Sequence, residues 1–463
     1  MLNFIVNNKE VRTELPPGSA LVDYLRDVLH LYGTKIGCRE GDCGACTILV
    51  GDLKNGGVKY ETMTSCLMPL GNANHKHIVT IEGINGDELT PIQTELIQKN
   101  GTQCGFCTPG FVLSLYGFCL GDKPRILENA VEAMGGNICR CTGYKSIERA
   151  AGAIVEQLKP MGKSDQVQWL VQNKFLPGYF LEIPERLRKI NVGKVVEIKD
   201  SGCIIAGGTD LLLQDPEKAI ESEANLVFGA KEYKQIKFVG NKCYIGAAST
   251  FTDIKESKEL NRLFPKMADY VKLVASTPVR NMATVGGNIA NGSPIGDVSV
   301  MFIALDAVLV MKNKGKTREV TLKDFFAGYK KVNKDPEELI EWIYFDTPDG
   351  KTLFSFEKIC KRDFLDMATV NSAMRVVVDN GIIKKASFAV GGLGPTIRYL
   401  EKAAGYLVGK RIDNQTFKQA NRIAQTEITP RSRAEYKRSL VRQQLFIHLM
   451  NFSPETISLE ALR

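Results

Sequence analysis

Two compact groups of cysteine constrain this chain more than any other feature of it. Cys38-x4-Cys43-x2-Cys46 is followed at a distance by Cys66, and Cys104-x2-Cys107 by Cys139-x-Cys141, so eight of the 12 cysteines fall into two sets of four. The first spacing is the one in which a looped backbone wraps three thiolates around a 2Fe–2S centre and a distant fourth closes it. Gly41 and Gly44 inside that loop leave backbone amides free to approach cluster sulfides. Two sets of four thiolates imply two iron–sulfur clusters, and clusters imply electron transfer.

Disulfides compete poorly with that reading. Twelve cysteines in 463 residues is far below the density of a disulfide scaffold, and Met1 to Val11 shows neither the basic nor the apolar region of a secretory signal. The expectation is a cytoplasmic chain with free thiols. Zinc is the stronger rival, because Cys104-x2-Cys107 alone suits a zinc knuckle. Against it, the Cys38–Cys43 interval is longer than usual zinc spacing and Cys139-x-Cys141 is tighter. A zinc-stabilised interaction protein without redox work is the reading from another class. Cys119 and Cys203 lie in apolar stretches and read as core thiols, and Cys243 and Cys360 sit in strand-like segments with no partner cysteine near in sequence.

At this length three or four domains are expected, with 44% hydrophobic residues to fill their cores. No run approaches the ~18 consecutive apolar residues of a membrane span. The net charge of +8 is dispersed, without aromatic interleaving, so neither nucleic acid nor membrane is an expected partner.

Along the chain, Leu2–Val11 reads as a hairpin about Asn7-Asn8, and Leu21–Leu29 as a helix with Ser19 as its cap. After the cysteine loop come strands at Thr47–Val50 and Val79–Ile81, which together make a β-grasp module ending near Glu82. Helices are expected at 91–97, Pro109–Leu120, Ile126–Met134 and Ser146–Leu158, a four-helix bundle. Its cysteines fall at helix starts or turns, where unpaired amides and the positive end of the helix dipole favour an anionic cluster. The polar stretch Lys159–Lys174, with Pro160 and Gly162, reads as a linker.

Beyond it, Cys203–Leu211 runs a buried strand into a Gly207-Gly208 turn, and Thr284–Asp297 is a second glycine-rich stretch. Neither is the fingerprint of a doubly wound dinucleotide fold. Both could expose backbone N–H groups to cradle a pyrophosphate, although glycines at tight turns are more often structural. Asp297 also reads as the cap of a helix at 298–305. Near the end, Leu353–Ile359 reads as a strand, Ser372–Val378 and Ile382–Val390 as a hairpin about Asp379-Asn380-Gly381, and Tyr399–Val408 and Ala434–Leu449 as helices.

These motifs carry a resemblance. A ferredoxin-like loop followed by Cys104-Gly-Phe-Cys107-Thr-Pro-Gly and Asn137-Ile-Cys139-Arg-Cys141-Thr-Gly-Tyr144 resembles the iron–sulfur portion of the molybdenum hydroxylases. The resemblance implies an α+β multidomain chain. Its parts are a ferredoxin-like β-grasp 2Fe–2S domain at 1–84, a helical 2Fe–2S domain at 85–158 and a linker at 159–176. An α+β FAD-binding domain of the vanillyl-alcohol-oxidase type at 177–346 and an α+β flavoprotein C-terminal domain at 349–463 complete it. It places Ile205, Ala206, Gly207, Gly208, Thr209 and Asp210 on one side of FAD, and Thr284, Gly287, Asn288, Asn291, Ser293 and Asp297 on the other. Lys358 and Arg362 fall near the flavin ring, and Leu365 stands where many relatives carry an acidic residue. Gln103 and Cys141 would touch a molybdopterin cofactor held by a partner.

The domain order resembles the small subunit of the bacterial xanthine dehydrogenases within that family. By that likeness, electrons from oxidation of hypoxanthine or xanthine to urate on a large molybdopterin subunit would reach FAD through the two clusters and leave on NAD+. The assembly implied is a dimer of heterodimers. A second reading keeps the architecture and changes the substrate to nicotinate, an aldehyde or an aromatic acyl-CoA. No acid–base catalytic residue is expected here, since His30, His75, His77 and His448 have no catalytic company in sequence.

Overall fold

The computed structural model describes residues 1–162, 165–190, 202–362 and 365–462. They form two compact units, Met1–Gly229 with Ser276–Ala283, and Ala230–Ala275 with Thr284–Arg463.

The first unit opens on a five-stranded sheet. Leu2–Val6 lies between its hairpin partner Lys9–Thr13 and the parallel strand His77–Val79, and Thr47–Lys54 with Gly57–Thr64 completes the far side. Phe4, Leu25, Ile48, Met68 and Ile78 are fully buried beneath it. The strand Gly57–Thr64 has no counterpart in the expected elements. It follows a two-residue turn in which Asn55 and Gly56 both take positive φ, 50° and 85°, the backbone that fits a tight hairpin. The helix expected over 21–29 is a single turn, Leu21–Asp23, running into a π-helical turn at Tyr24–Val28. Ala20 rather than Ser19 precedes it, and no side chain caps it.

The four helices of the second module lie at Pro91–Gln98, Thr108–Leu120, Leu127–Met134 and Lys145–Leu158. Thr90 and Gln93 close a capping box at the first, which satisfies orphan amides from both sides. The stretch expected as a linker is not one. Asp165 caps a further helix, Gln166–Gln172, and Leu170, Phe175, Leu176 and Phe180 are buried in the helical core. The Tyr116 hydroxyl donates to the Phe175 carbonyl at 2.7 Å. Apolar side chains spaced through a polar segment dock it onto the bundle; Lys163 and Ser164 of that stretch lie outside the described residues.

The second unit holds an antiparallel sheet of Lys316–Thr321, Val308–Asn313, Leu339–Asp346, Lys242–Gly246 and Ile236–Val239, in that spatial order. A second sheet, Thr352–Ile359, Val370–Asp379, Ile382–Gly391 and Arg398–Tyr399, is backed by helices Glu401–Leu407, Asn414–Glu427 and Ala434–Phe452. Asn380 and Gly381 take φ 51° and 76° at the hairpin turn, as its sequence demands. Of the expected 177–346 stretch, residues up to Gly229 and Ser276–Ala283 fall in the first unit and the rest in the second; within the first unit the Asn281 side chain donates to the Thr62 carbonyl at 2.8 Å. Among the described residues no helix is long and apolar enough to cross a membrane.

Candidate redox and cofactor sites

The first cysteine set is built by a loop that only glycine permits. Gly41 and Gly44 have φ of 78° and 65°, and a side chain at Gly37 would come within 2.8 Å of the Cys43 sulfur. With the loop so bent, the amides of Glu40 and Cys43 point at the Cys38 sulfur at 3.3 and 3.4 Å. The Cys43 thiol and these amides lower the Cys38 pKa to about 5 against the opposing effect of burial. The shared proton raises Cys43 in turn. Cys46 and Cys66 are buried and share a second proton, which lowers Cys46 and raises Cys66.

The second set is assembled from two turns far apart in sequence. Cys104 and Cys107 precede helix Thr108–Leu120, and Cys139 and Cys141 precede helix Lys145–Leu158. The sulfurs of Cys104 and Cys141 approach to 3.6 Å. The Cys139 sulfur accepts from the amides of Cys141 and Thr142, both at 3.4 Å, and from the Thr142 hydroxyl at 3.1 Å. Burial opposes ionisation of Cys139, yet these donors leave its pKa lowered; burial and the Cys139 sulfur push Cys107 up to about 12. Cys139 is buried, whereas Cys104, Cys141 and Gln103 are exposed, with Phe106 at 47% and Tyr144 at 40% exposure beside them.

Each set therefore resolves into two pairs, Cys38/Cys43 with Cys46/Cys66 and Cys104/Cys141 with Cys107/Cys139. Two irons bridged by sulfide need two thiolates each, and the donor set fits that need. Among the described residues no three His, Cys, Asp or Glu side chains converge as one ion would require. Cys119 and Cys243 are fully buried core thiols, and Cys203 and Cys360 join neither set.

The glycine-rich stretches behave differently from each other. In the first unit, Cys203–Ile205 pairs parallel with Ala224–Leu226, and the Ala206 carbonyl accepts from Asn72 at 2.8 Å. A Cβ on Gly207 would lie 1.9 Å from the Met282 carbonyl, and Gly208, at φ 81°, faces Pro69. Both glycines are demanded by packing within the chain. Thr209 and Asp210 are half-buried beyond the turn.

In the second unit, Thr284 caps helix Val285–Ala290 by accepting from the Gly287 amide at 3.1 Å. Gly287, Asn288, Asn291 and Ser293 lie along that segment. Asp297 is not a helix cap. Gly296 takes that position, and the Asp297 carboxylate is buried between the Lys358 ammonium at 2.7 Å and the Asn371 amide at 2.6 Å. Burial raises its pKa against the pull of Lys358 and Asn371. Lys358 also donates to the Leu273 carbonyl at 2.8 Å, so this cation is a buried ion-pair partner rather than a solvated surface charge. Asn371 is the residue that sequence reasoning missed; a polar side chain at the start of a strand rich in apolar residues was its signal. Leu365 takes φ 64°, and its neighbour Asp366 pairs with Arg362 at 3.5 Å. A cleft of about 680 Å³ opens beside Pro294 and Ile295, lined also by Tyr329, Arg431, Arg433 and Lys437.

Four family models match in the order 2Fe–2S iron–sulfur cluster binding domain at 4–70, [2Fe–2S] binding domain at 80–152, FAD binding domain in molybdopterin dehydrogenase at 187–346, and CO dehydrogenase flavoprotein C-terminal domain at 355–451. The xanthine dehydrogenase of Emericella nidulans is 30% identical over 89% of this chain, which covers 35% of that protein's length. Among solved structures, CO dehydrogenase from Oligotropha carboxidovorans is 25% identical over 53% of this chain and 88% of its own, with a TM-score of 0.50. Quinoline 2-oxidoreductase from Pseudomonas putida 86, 22% identical over 55% of this chain and 90% of its own, shares the fold with a TM-score of 0.50.

Proposed function

We propose, from a chain that carries the two 2Fe–2S domains and the FAD domain of a molybdenum hydroxylase, that it is the electron-transfer subunit of a xanthine dehydrogenase, delivering electrons from a partner molybdopterin subunit to NAD+. The observation that carries this reading is the unequal exposure of the cysteine sets. Cys104 and Cys141 stand at the surface with Gln103, Phe106 and Tyr144, while Cys46 and Cys66 are buried. An exposed rim of apolar and amide side chains around thiolates suits a protein partner that brings its own redox group.

Bound clusters relay single electrons, and a bound flavin pairs them for hydride chemistry. The chain's part is to hold and tune. Cys38, Cys43, Cys46 and Cys66 would ligate one cluster, and Cys104, Cys107, Cys139 and Cys141 the other, with the amides on Cys38 and Cys139 stabilising thiolate charge. Ile205 to Asp210 and Thr284 to Asp297 would hold FAD, both within the stretch matched by the FAD family model. Lys358, fixed by Asp297, whose carboxylate Asn371 holds in turn, would set the charge near the flavin. Arg431, Arg433 and Lys437 line a cleft beside the 294–295 loop and suit the phosphates of the acceptor nucleotide. The complex would be a dimer of heterodimers in the cytoplasm.

The test uses the full chain loaded with iron and FAD. It should oxidise NADH with an artificial acceptor and leave hypoxanthine and xanthine untouched, and adding the molybdopterin subunit should restore purine-dependent NAD+ reduction. Purine oxidation by this chain alone overturns the division of labour. A complex active only on nicotinate, an aldehyde or an aromatic acyl-CoA keeps the electron path and replaces the substrate.

A further inference from the structure

The two cysteine loops touch, and the contact is made by a residue that ligates nothing. The Ile138 amide donates to the Cys43 carbonyl at 2.9 Å. Cys43 belongs to the first set, and Ile138 is bonded to Cys139 of the second. One hydrogen bond therefore joins the backbones of ligands to different clusters.

Asn137 holds that bond in place. It is buried, at 6% exposure. Its Nδ2 donates to the Gly44 carbonyl at 3.0 Å, next along the chain from Cys43, and its Oδ1 accepts from the Ser114 hydroxyl at 2.6 Å. Its own amide donates to the Met134 carbonyl at 2.9 Å. The side chain thus bridges helix Thr108–Leu120, the turn before Cys139 and the first cysteine loop. Two glycines make room for it: a Cβ on Gly44 would lie 2.3 Å from the Gly136 carbonyl, and one on Gly110 would lie 2.3 Å from the Gly44 carbonyl. Side chains on both glycines are excluded by the closeness of the first loop to the second and to helix Thr108–Leu120, where a turn alone would have required only one of them.

We propose that Asn137 is a positioning residue for electron exchange between the two clusters, fixing the Ile138–Cys43 hydrogen bond as the bridge. Electron tunnelling weakens steeply across a van der Waals gap and less across a hydrogen bond, so a clamp on this contact controls coupling without touching either metal centre. The proposal rests on the reading of both cysteine sets as cluster ligands, and the wild-type iron content tests that reading separately.

In the full iron-loaded chain, a photoreductant injects one electron, and rapid freeze-quench paramagnetic resonance follows its redistribution between the two cluster signals. Asn137→Ala should slow redistribution roughly tenfold or more, the range typical of lost supporting contacts around a metal site, while iron content and both cluster spectra stay as in wild type. Ser114→Ala, which frees one end of the Asn137 side chain, should slow it in the same direction by less. Unchanged redistribution in Asn137→Ala at full iron overturns the proposal. Loss of iron in Asn137→Ala makes the residue structural there, and Ser114→Ala then decides, an unchanged rate in that variant overturning the proposal equally.

Discussion

The two cysteine sets solve one chemical problem in opposite ways. The first is local: three of its ligands lie within nine residues of one loop, bent by two left-handed glycines and anchored to a sheet. The second is tertiary: its two halves come from the starts of different helices, and nothing but the packing of those helices brings Cys104 to Cys141. A local site is legible in spacing, whereas an assembled one is legible only in its parts. The local set is also the more buried, and two ligands of the assembled one, Cys104 and Cys141, stand at the surface, where a partner has access.

If the two sets depend on each other through the Gly44 contact, Gly44→Val should break both. A valine there adds strain of about 1–2 kcal/mol for its left-handed backbone, and its Cβ meets the Gly136 carbonyl at 2.3 Å and the Asn137 side-chain amide at 2.5 Å. Iron should fall below what one cluster requires; retention of half the iron would show the loops to be independent. A smaller effect is expected from Cys43→Ser, which removes one ligand and leaves the Gly44 backbone alone. That variant should lose one paramagnetic signal and about two irons, and loss of neither signal would remove Cys43 from the ligand set.

The smallest effect comes from a histidine that the sheet and the helical core share. His77 is buried beneath the sheet against Tyr60 and the Asn7 carbonyl, and burial lowers its pKa to about 3. Between that value and the unfolded ~6.5 the unfolded chain binds a proton that the folded one does not, so stability falls as pH drops through this window, by at most ~1.4 kcal/mol per pH unit for one histidine. The His77 ring also packs against Tyr179 and Phe180 of the helical core, so acidification from pH 6.5 should lower the stability of the first unit as a whole; a melting temperature of that unit unchanged as the pH falls below 6.5 would contradict the assignment. His448, held neutral by burial between Ser355 and Ser372, adds the same dependence to the second unit.

Sequence suffices where a single backbone rule decides. Cysteine spacing, the Asp379-Asn380-Gly381 turn and the four apolar helices need no tertiary information. Other features escape it for identifiable reasons. Asn55-Gly56 is a hairpin signal, yet the strand after it, Gly57–Thr64, carries Lys59 and Glu61 among its apolar residues and is ordered by pairing with Thr47–Lys54. Helix Asn414–Glu427 carries a narrow apolar stripe of Phe417, Ala420 and Ala424 beneath a polar exterior. The stretch 159–174 has the composition of a linker, and only the helical module supplies the core that Leu170 and its neighbour in sequence Phe175 enter. Asp297 has the sequence position of a cap, but Lys358 and Asn371, distant in sequence, claim its carboxylate. In each case a long-range partner outweighs the local preference.

The central claim, that this chain is a two-cluster flavin relay, is tested most directly by metal and flavin analysis of the purified full chain together with its paramagnetic resonance after reduction. About four irons and one FAD per chain are expected, with two distinct 2Fe–2S signals of equal spin. A colourless protein carrying zinc, or a single signal with half that iron, would contradict it.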